Sequence, residues 1–527
     1  MNHIELFSGC GGLSLGLHAS DFELLMANEL SPMAAESFSY NFFNEDLEAL
    51  ANAEEVPKST IWLKSRHQKL KPRLRENPLN FPLFDEDGYS DIPVNKAELR
   101  GKLLVGSIVE LNRMLESDLD FRKVLRTGFG SSEGLDLVSG GPPCQSFSMA
   151  GLRKKDCEKN TLPWEFAKFV SYSQPKIAML ENVTGILRAF KDEAGNSYQA
   201  WYEVAKAFAS IDYVPVCLHI NARLAGIAQN RPRFIMLALR HDCYLSIMKN
   251  MNKESSSFTM LEPSGRFYEL VKSKGTSLEA GHLEYFDASK PQHMQFFEQS
   301  FLAHLVNGET VSVKDALDDL KFTNPTKPSK YINNLNNKFR WLPSNLGLKN
   351  HEARKNSSMV QRRFRIYQVL QKIDDSLITK DIFSVLKGGA NVLSEKTWDV
   401  CKDYKFLQEN DELSFFNSAG DFIRYLSAHP TKKQTQKALN PDTPAPAALS
   451  IPDDACHYDE YELRVLTVRE MARIQSFPDN FVFRSKITTG GQMRKFEVPQ
   501  YTQVGNAVPP LLGFKLGLCL TDLLRKI

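Results

Sequence analysis

No two of the eight cysteines in this chain of 527 residues form a C-x-x-C pair; they stand at positions 10, 144, 157, 217, 243, 401, 456 and 519. That scatter argues against a disulfide scaffold and against a cysteine-rich zinc site, so a reducing compartment and no metal are expected. No apolar run reaches the roughly 18 residues that a membrane span needs. The opening Met1-Asn2-His3-Ile4-Glu5-Leu6-Phe7 also lacks the basic and then long apolar pattern of an export signal, which makes a cytoplasmic protein without a membrane partner the expectation. Excess charge is missing too: 65 Lys and Arg against 63 Asp and Glu leave +2. Nucleic acid would therefore have to be held by a local basic face rather than by overall charge. What is present is ordinary for a globular chain, 42% apolar and 24% charged, with length for about two to four domains.

Short apolar runs at 3–8, 23–29, 103–108, 135–140, 176–183, 215–222 and 233–240 read as strands. Between several of them, as at 163–172 and 197–211, apolar residues recur three and four apart, as on a helix. Strand–helix alternation predicts an α/β fold with a mostly parallel sheet, whose ligands sit at the carboxyl ends of the strands.

Two stretches break the rhythm. Residues 45–102 are polar and irregular and read as an insertion; positions 58–75 carry seven Lys or Arg and no acid, as a solvated surface would. Residues 321–365 hold eleven basic side chains against one acid, mixed with Phe322, Tyr331, Phe339, Trp341 and Phe364. Cations interleaved with aromatics suit phosphate and base contacts, and Arg362, Arg363 and Arg365 are the candidates. The competing reading is a solvated helix face. Residues 440–451 (NPDTPAPAALSI) look like a loop between domains, and Thr467 with Glu470 reads as a helix start. The expected division is 1–240, an interposed 241–460, and a return to the first fold over 461–527.

The chemistry gathers at strand ends. Leu6-Phe7-Ser8-Gly9-Cys10-Gly11-Gly12 is a glycine turn after the first strand, although its spacing differs from G-x-G-x-x-G. Glu29 closes the second strand, where such folds place a carboxylate for ribose hydroxyls; alone it would be read as a surface Glu. Gly140-Gly141-Pro142-Pro143-Cys144-Gln145-Ser146-Phe147-Ser148 follows the fourth strand. An arbitrary cysteine is a small hydrophobe, but this one is framed by two glycines and two prolines over the ligand edge. Glu181-Asn182-Val183 ends the next strand, and Gln229-Asn230-Arg231-Pro232-Arg233 opens the last. A thiol, a carboxyl and two guanidinium groups would meet there as nucleophile, acid and cations.

This ordered set, LFSGCGG, GGPPCQSFS, ENV, QNRPR, LTVREMARIQSFPDNF and QVGNAVPP, resembles the bacterial DNA (cytosine-5)-methyltransferases of restriction–modification systems. The resemblance spans 1–44, 103–240 and 461–527, and Asn350-His351-Glu352-Ala353-Arg354 and His457-Tyr458 are weaker landmarks. It implies an S-adenosylmethionine-dependent, Rossmann-like fold with a separate target-recognition domain at 241–460. It also implies a monomer acting on double-stranded DNA, with a companion restriction endonuclease. Cys144 would attack C6 of a flipped-out cytosine, Glu181 would bond its N3 edge, and Arg233 would stabilise the adduct, supported by Arg231 and Gln229. Phe7, Gly9, Cys10, Gly12, Glu29, Leu30, Pro143, Leu162, Asn506 and Val508 would line the cofactor, which leaves as S-adenosylhomocysteine. The third strand ends Gly106-Ser107-Ile108, where the family usually has an Asp; Ser107 and Ile108 would then meet the adenine through a weaker bond. RNA methylation by the same fold, a catalytically silent DNA-binding relative and a nicotinamide oxidoreductase are the rivals. The long interposed region favours duplex DNA over RNA. The intact Cys144, Glu181 and Arg233 oppose a silent relative, and the glycine spacing opposes an oxidoreductase.

Overall fold

The computed structural model describes residues 1–143, 161–191, 197–275, 278–342, 347–431, 436–447 and 449–527. Its main sheet is built from β1 (Asn2–Leu6), β2 (Glu23–Glu29), β3 (Thr60–Trp62), β4 (Lys102–Val105), β5 (Leu137–Gly140), β6 (Ile177–Val183), β7 (Tyr213–Asn221), β8 (Pro232–Arg240) and β9 (Phe286–Asp287). In space the order is β9-β7-β8-β6-β5-β1-β2-β4-β3. Within this sheet β8 runs against its neighbours and every other pairing is parallel. The expected α/β class with a mostly parallel sheet is what the chain adopts.

The strands are apolar on both faces because both faces are covered. On β4, Leu103 and Val105 join a cluster with Trp62 and Phe38, while Leu104 between them joins the main core. Period-two alternation therefore sends successive residues to opposite layers. Those layers contain α1 (Gly12–His18), α2 (Pro32–Phe43), α3 (Ile108–Ser117), α4 (Leu162–Ser173) and α5 (Ala200–Ser210). Two strands end sooner than the sequence suggests, each for a local reason. Phe7 turns left-handed (φ 55°) directly after Leu6, and the Ser107 hydroxyl accepts from Val109 N–H at 3.2 Å, which starts α3 where a strand was expected.

The expected domain division needs correction. The segment 45–102 is only in part an insertion, since its Thr60–Trp62 pairs with β4 and Trp62 is fully buried. Residues 241–305 belong to the sheet domain rather than to a recognition domain. Within them α6 (His241–Lys249) and α7 (Ser256–Lys274) bury Ile247, Met260, Leu261 and Phe267 in the main core, and β9 extends the sheet edge. A separate core is built by α8 (Ser358–Ile373), α9 (Ser376–Leu386) and α10 (Ala419–Ala428) with Cys401 and Phe406, around Ile366, Val369, Ile382 and Phe422. Between the two cores, residues from 311–342 and 439–504 form a third cluster with Cys10 and Leu15.

The end of the chain returns through α11 (Val468–Ile474), α12 (Gln500–Asn506) and α13 (Pro510–Leu524). Thr467 and Glu470 form the capping box read from the sequence. Leu512, Leu516 and Leu520 of α13 pack in one core with Leu13 and Leu17 of α1. The two helices touch backbone to backbone: a Cβ on Gly16 would lie 2.3 Å from the Pro510 carbonyl oxygen, and one on Gly12 2.3 Å from that of Val508.

Candidate active site

β6 and β8 are antiparallel, with Glu181 opposite Ile235 and Arg233 opposite Val183. Glu181 and Arg233 are thus diagonal neighbours, and Arg233 Nε lies 2.6 Å from Glu181 Oε1. Both side chains are close to buried, and the contact is a close ion pair whose N–H axis is not aligned as a hydrogen bond. Burial lowers the Arg233 pKa and the Glu181 charge opposes that shift, so the cation is held by its partner. Arg233 Nη1 also donates to the Pro232 carbonyl at 2.9 Å.

The turn after β5 is pressed onto this pair. A Cβ on Gly141 would meet Glu181 Oε2 at 3.0 Å, which leaves glycine as the residue that fits without displacing the carboxylate. One residue on, Asn182 Nδ2 donates to the Pro142 carbonyl at 3.0 Å and ties the turn to the end of β6. Pro143 is exposed; Cys144 follows it and lies outside the described residues.

Arg231 and Gln229 stand behind the pair. Arg231 Nη2 donates to the carbonyls of Gly505 at 2.8 Å and Ala507 at 3.0 Å, so the QVGNAVPP turn is pinned to the foot of β8. Burial first and then the charge of Arg233 press the Arg231 pKa well down, with Glu181 opposing. Gln229 is fully buried, and its Nε2 donates to the Pro446 carbonyl at 3.1 Å. Ala445 N donates to the Ala228 carbonyl at 2.9 Å and Asn230 N to the Ala445 carbonyl at 2.7 Å, so the proline- and alanine-rich segment is docked on QNRPR. Both side chains are buried and bonded to backbone carbonyls behind the pair.

At the glycine turn, Gly9 N donates to Glu29 Oε2 at 2.8 Å and Ser31 N to Oε1 at 2.7 Å. Burial raises the Glu29 pKa, and these two donors oppose the rise. Among the described residues, a Cβ on Gly9 would meet nothing within 4 Å and the buried Ser8 Oγ has no hydrogen-bond partner. Leu30 is exposed next to Glu29, and Phe7 packs partly against the core. An unpaired hydroxyl and an acid at the strand end fit a ribose-bearing cofactor.

The other residues expected at the cofactor stand in different settings. The Cys10 thiol is buried among Leu15, Phe477 and Val504, 3.8 Å from the Gln503 carbonyl, and burial raises its pKa. Only its backbone can face the turn. Ile108 is likewise in the core, and the Ser107 hydroxyl is engaged in capping α3. Leu162 begins α4 and is partly buried, Val508 packs against the core, and Asn506 is exposed at the end of α12.

Of the three arginines expected to meet DNA, Arg365 is buried and Arg362 and Arg363 are half-buried. Arg365 is 3% exposed; its Nε donates to the Lys405 carbonyl at 2.8 Å and its Nη2 lies 3.1 Å from Glu460 Oε2. Arg362 donates to the carbonyls of Gln408 and Glu409, and Arg363 to that of Pro430. All three thus spend donors on backbone carbonyls of the second lobe, Arg365 from a buried position.

A family model described as C-5 cytosine-specific DNA methylase matches residues 1–61 and 111–520. Type II methyltransferase M.DdeI of Desulfomicrobium norvegicum is 25% identical over 97% of this chain and 86% of its own length. Type II methyltransferase M.Bpa9945I of Bacillus paralicheniformis is 25% identical over 99% of each chain. Type II methyltransferase M1.HphI of Haemophilus parahaemolyticus is 24% identical over 97% of this chain and 84% of its own. With the glycine turn, the Glu181–Arg233 pair and the QVGNAVPP closure on one sheet edge, and with a family match over most of its length, this chain belongs to the C-5 cytosine-specific DNA methylases.

Proposed function

We propose that the protein methylates C5 of a cytosine flipped out of duplex DNA, through a covalent adduct on Cys144. The observation that carries this reading is the pinning of the Gly141-Pro142 turn, the start of the GGPPCQ motif, onto the Glu181–Arg233 pair.

Cytosine C5 is a weak nucleophile, and the ring must be activated from its C6 side. The Cys144 thiolate forms the S–C6 bond, and the displaced π electrons make C5 enamine-like. Glu181 bonds the N3 and amino edge of the base and fixes the ring as the S–C6 bond forms. Arg233, fixed by Glu181 and the Pro232 carbonyl, offers a cation to the base and phosphate side of the adduct. The Gly9 turn and Glu29 would hold S-adenosylmethionine, which would supply an electrophilic methyl group to C5 and leave as S-adenosylhomocysteine. Loss of the C5 proton then expels Cys144 and restores the aromatic ring. A stacked base offers no approach of this kind, so the nucleotide has to leave the helix. The type II methyltransferase names of its relatives fit a restriction–modification role, and a companion endonuclease is part of this proposal.

A duplex carrying 5-fluorocytosine at the target tests the mechanism, because fluorine cannot leave as the proton does. The parent should form a complex that survives denaturation, and Cys144→Ala should form none and transfer no methyl. Methylation at the parental rate by Cys144→Ala would overturn the mechanism. Labelled methyl transfer to tRNA but not to duplex DNA would move the substrate to RNA.

A further inference from the structure

An open cavity of about 340 Å³ lies where the second lobe joins the rest of the molecule. Its walls come from 354–356, which lead into α8, from 450–453, on the way back, and from 488–506, which end in α12. Three cations face it, Arg354, Lys355 and Arg494. Against them stand Asp453 and Glu497, but Glu497 already accepts from Lys486 Nζ at 2.6 Å and Thr489 Oγ1 at 2.5 Å. Arg354 and Lys355 are exposed and make no hydrogen bond or ion pair among the described residues. Arg494 spends only its Nε, on the Thr489 carbonyl at 3.3 Å. The 16-residue α8 begins just beyond this wall, and its cap residue Ser357 makes no side-chain cap bond, so the positive end of a long helix adds to the three cations.

The opposite wall connects the cavity to the chemistry. Asn506 lines it, and the flanking carbonyls of Gly505 and Ala507 hold Arg231, which neighbours Arg233 and Glu181. An anion seated here would lie directly behind the motif that supports the catalytic pair. We propose that the cavity seats a phosphodiester of the DNA backbone on Arg354, Lys355 and Arg494, and so fixes the strand beside the flipped cytosine. This rests on the reading of the protein as a duplex DNA methyltransferase and adds the residues that grip the substrate. The chemistry fits that occupant. The site is wider than a lone phosphate needs, is lined with Thr488 and Thr502 as well as the cations, and lies open at a junction of lobes as a continuous strand requires.

The test is duplex binding by the parent, R354A/R494A and R354K/R494K across a series of salt concentrations, with methyl transfer measured alongside. The alanine variant should bind duplex at least about tenfold more weakly at low salt. Its slope of log affinity against log salt should flatten by about one to two, since each phosphate contact contributes about 0.9. The lysine variant should recover most of the slope, and affinity for S-adenosylmethionine and the melting temperature should match the parent. A parent that methylates duplex DNA, beside an alanine variant with unchanged slope and affinity, overturns the phosphate site and leaves the enzymatic reading standing. A parent that neither binds nor methylates duplex DNA overturns both. A slope that falls on tRNA and not on duplex DNA overturns the assignment to DNA.

Discussion

Glu5 sits on β1, 3% exposed, and takes a hydrogen bond from the Ser14 hydroxyl of α1. Burial pushes its pKa up from 4.5 to about 8. Between those values the folded chain keeps a proton that the unfolded chain has released, so this residue lowers stability as pH rises through that window, with the full loss reached above about pH 8. Glu5→Gln keeps the shape and removes the titration. Its melting temperature should exceed the parental one by more at pH 9 than at pH 5, and an equal gain at both would show that Glu5 does not titrate this way. Nothing in Asn2–Leu6 beyond alternation hinted at it, because the burial of Glu5 is set by helices that arrive from both ends of the chain. Glu181 and Arg233 were legible, each in a short motif at a strand end. The support around them was not: Gly141 is forced by its distance to a carboxylate, and Arg231 by carbonyls more than 270 positions away.

At the level of elements, α1 and α13 meet through glycines rather than through large side chains. A methyl group on Gly16 would collide with the Pro510 carbonyl oxygen at 2.3 Å and the Phe514 nitrogen at 2.4 Å. Backbone cannot yield as a flexible side chain can, so Gly16→Ala should cost about 1–3 kcal/mol or more. A lower denaturation midpoint and weaker cofactor binding are expected together, because Gly12 and Val508 ride on the same contact. An unchanged midpoint would mean that the helices part at no cost. Which glycines serve turns and which serve contacts was not readable from the chain, since Gly9 (open space) and Gly12 (closed) stand three apart in one motif. The start of α11 was readable, because Thr467 and Glu470 carry their own local chemistry.

For the whole molecule, the distribution of cores decides the extent of the second lobe. It is smaller than the interposed segment suggested, since 241–305 complete the sheet domain through apolar residues that a sequence cannot assign to one core or another. Composition alone made 321–365 look like a binding face. Yet Arg362, Arg363 and Arg365 satisfy carbonyls within the lobe, a use of arginine that leaves the same trace in a sequence. Arg365→Ala should therefore lower the melting temperature while leaving the salt dependence of DNA binding as in the parent. A flattened slope with unchanged stability would return Arg365 to the DNA surface.

The contact of α1 with α13 also orders events during synthesis. The glycine turn, Glu29 and the Glu181–Arg233 strands leave the ribosome early, but Arg231 finds its carbonyl partners only when Gly505 and Ala507 emerge. Until then the groove along α1 is bare, and the turn lacks the Val508 backbone that closes it. A nascent or prematurely terminated chain can thus carry Cys144, Glu181 and Arg233 and still be unable to modify DNA. The groove along α1 and the two carbonyls that hold Arg231 are completed by residues 505–524, far in sequence from the motifs they support.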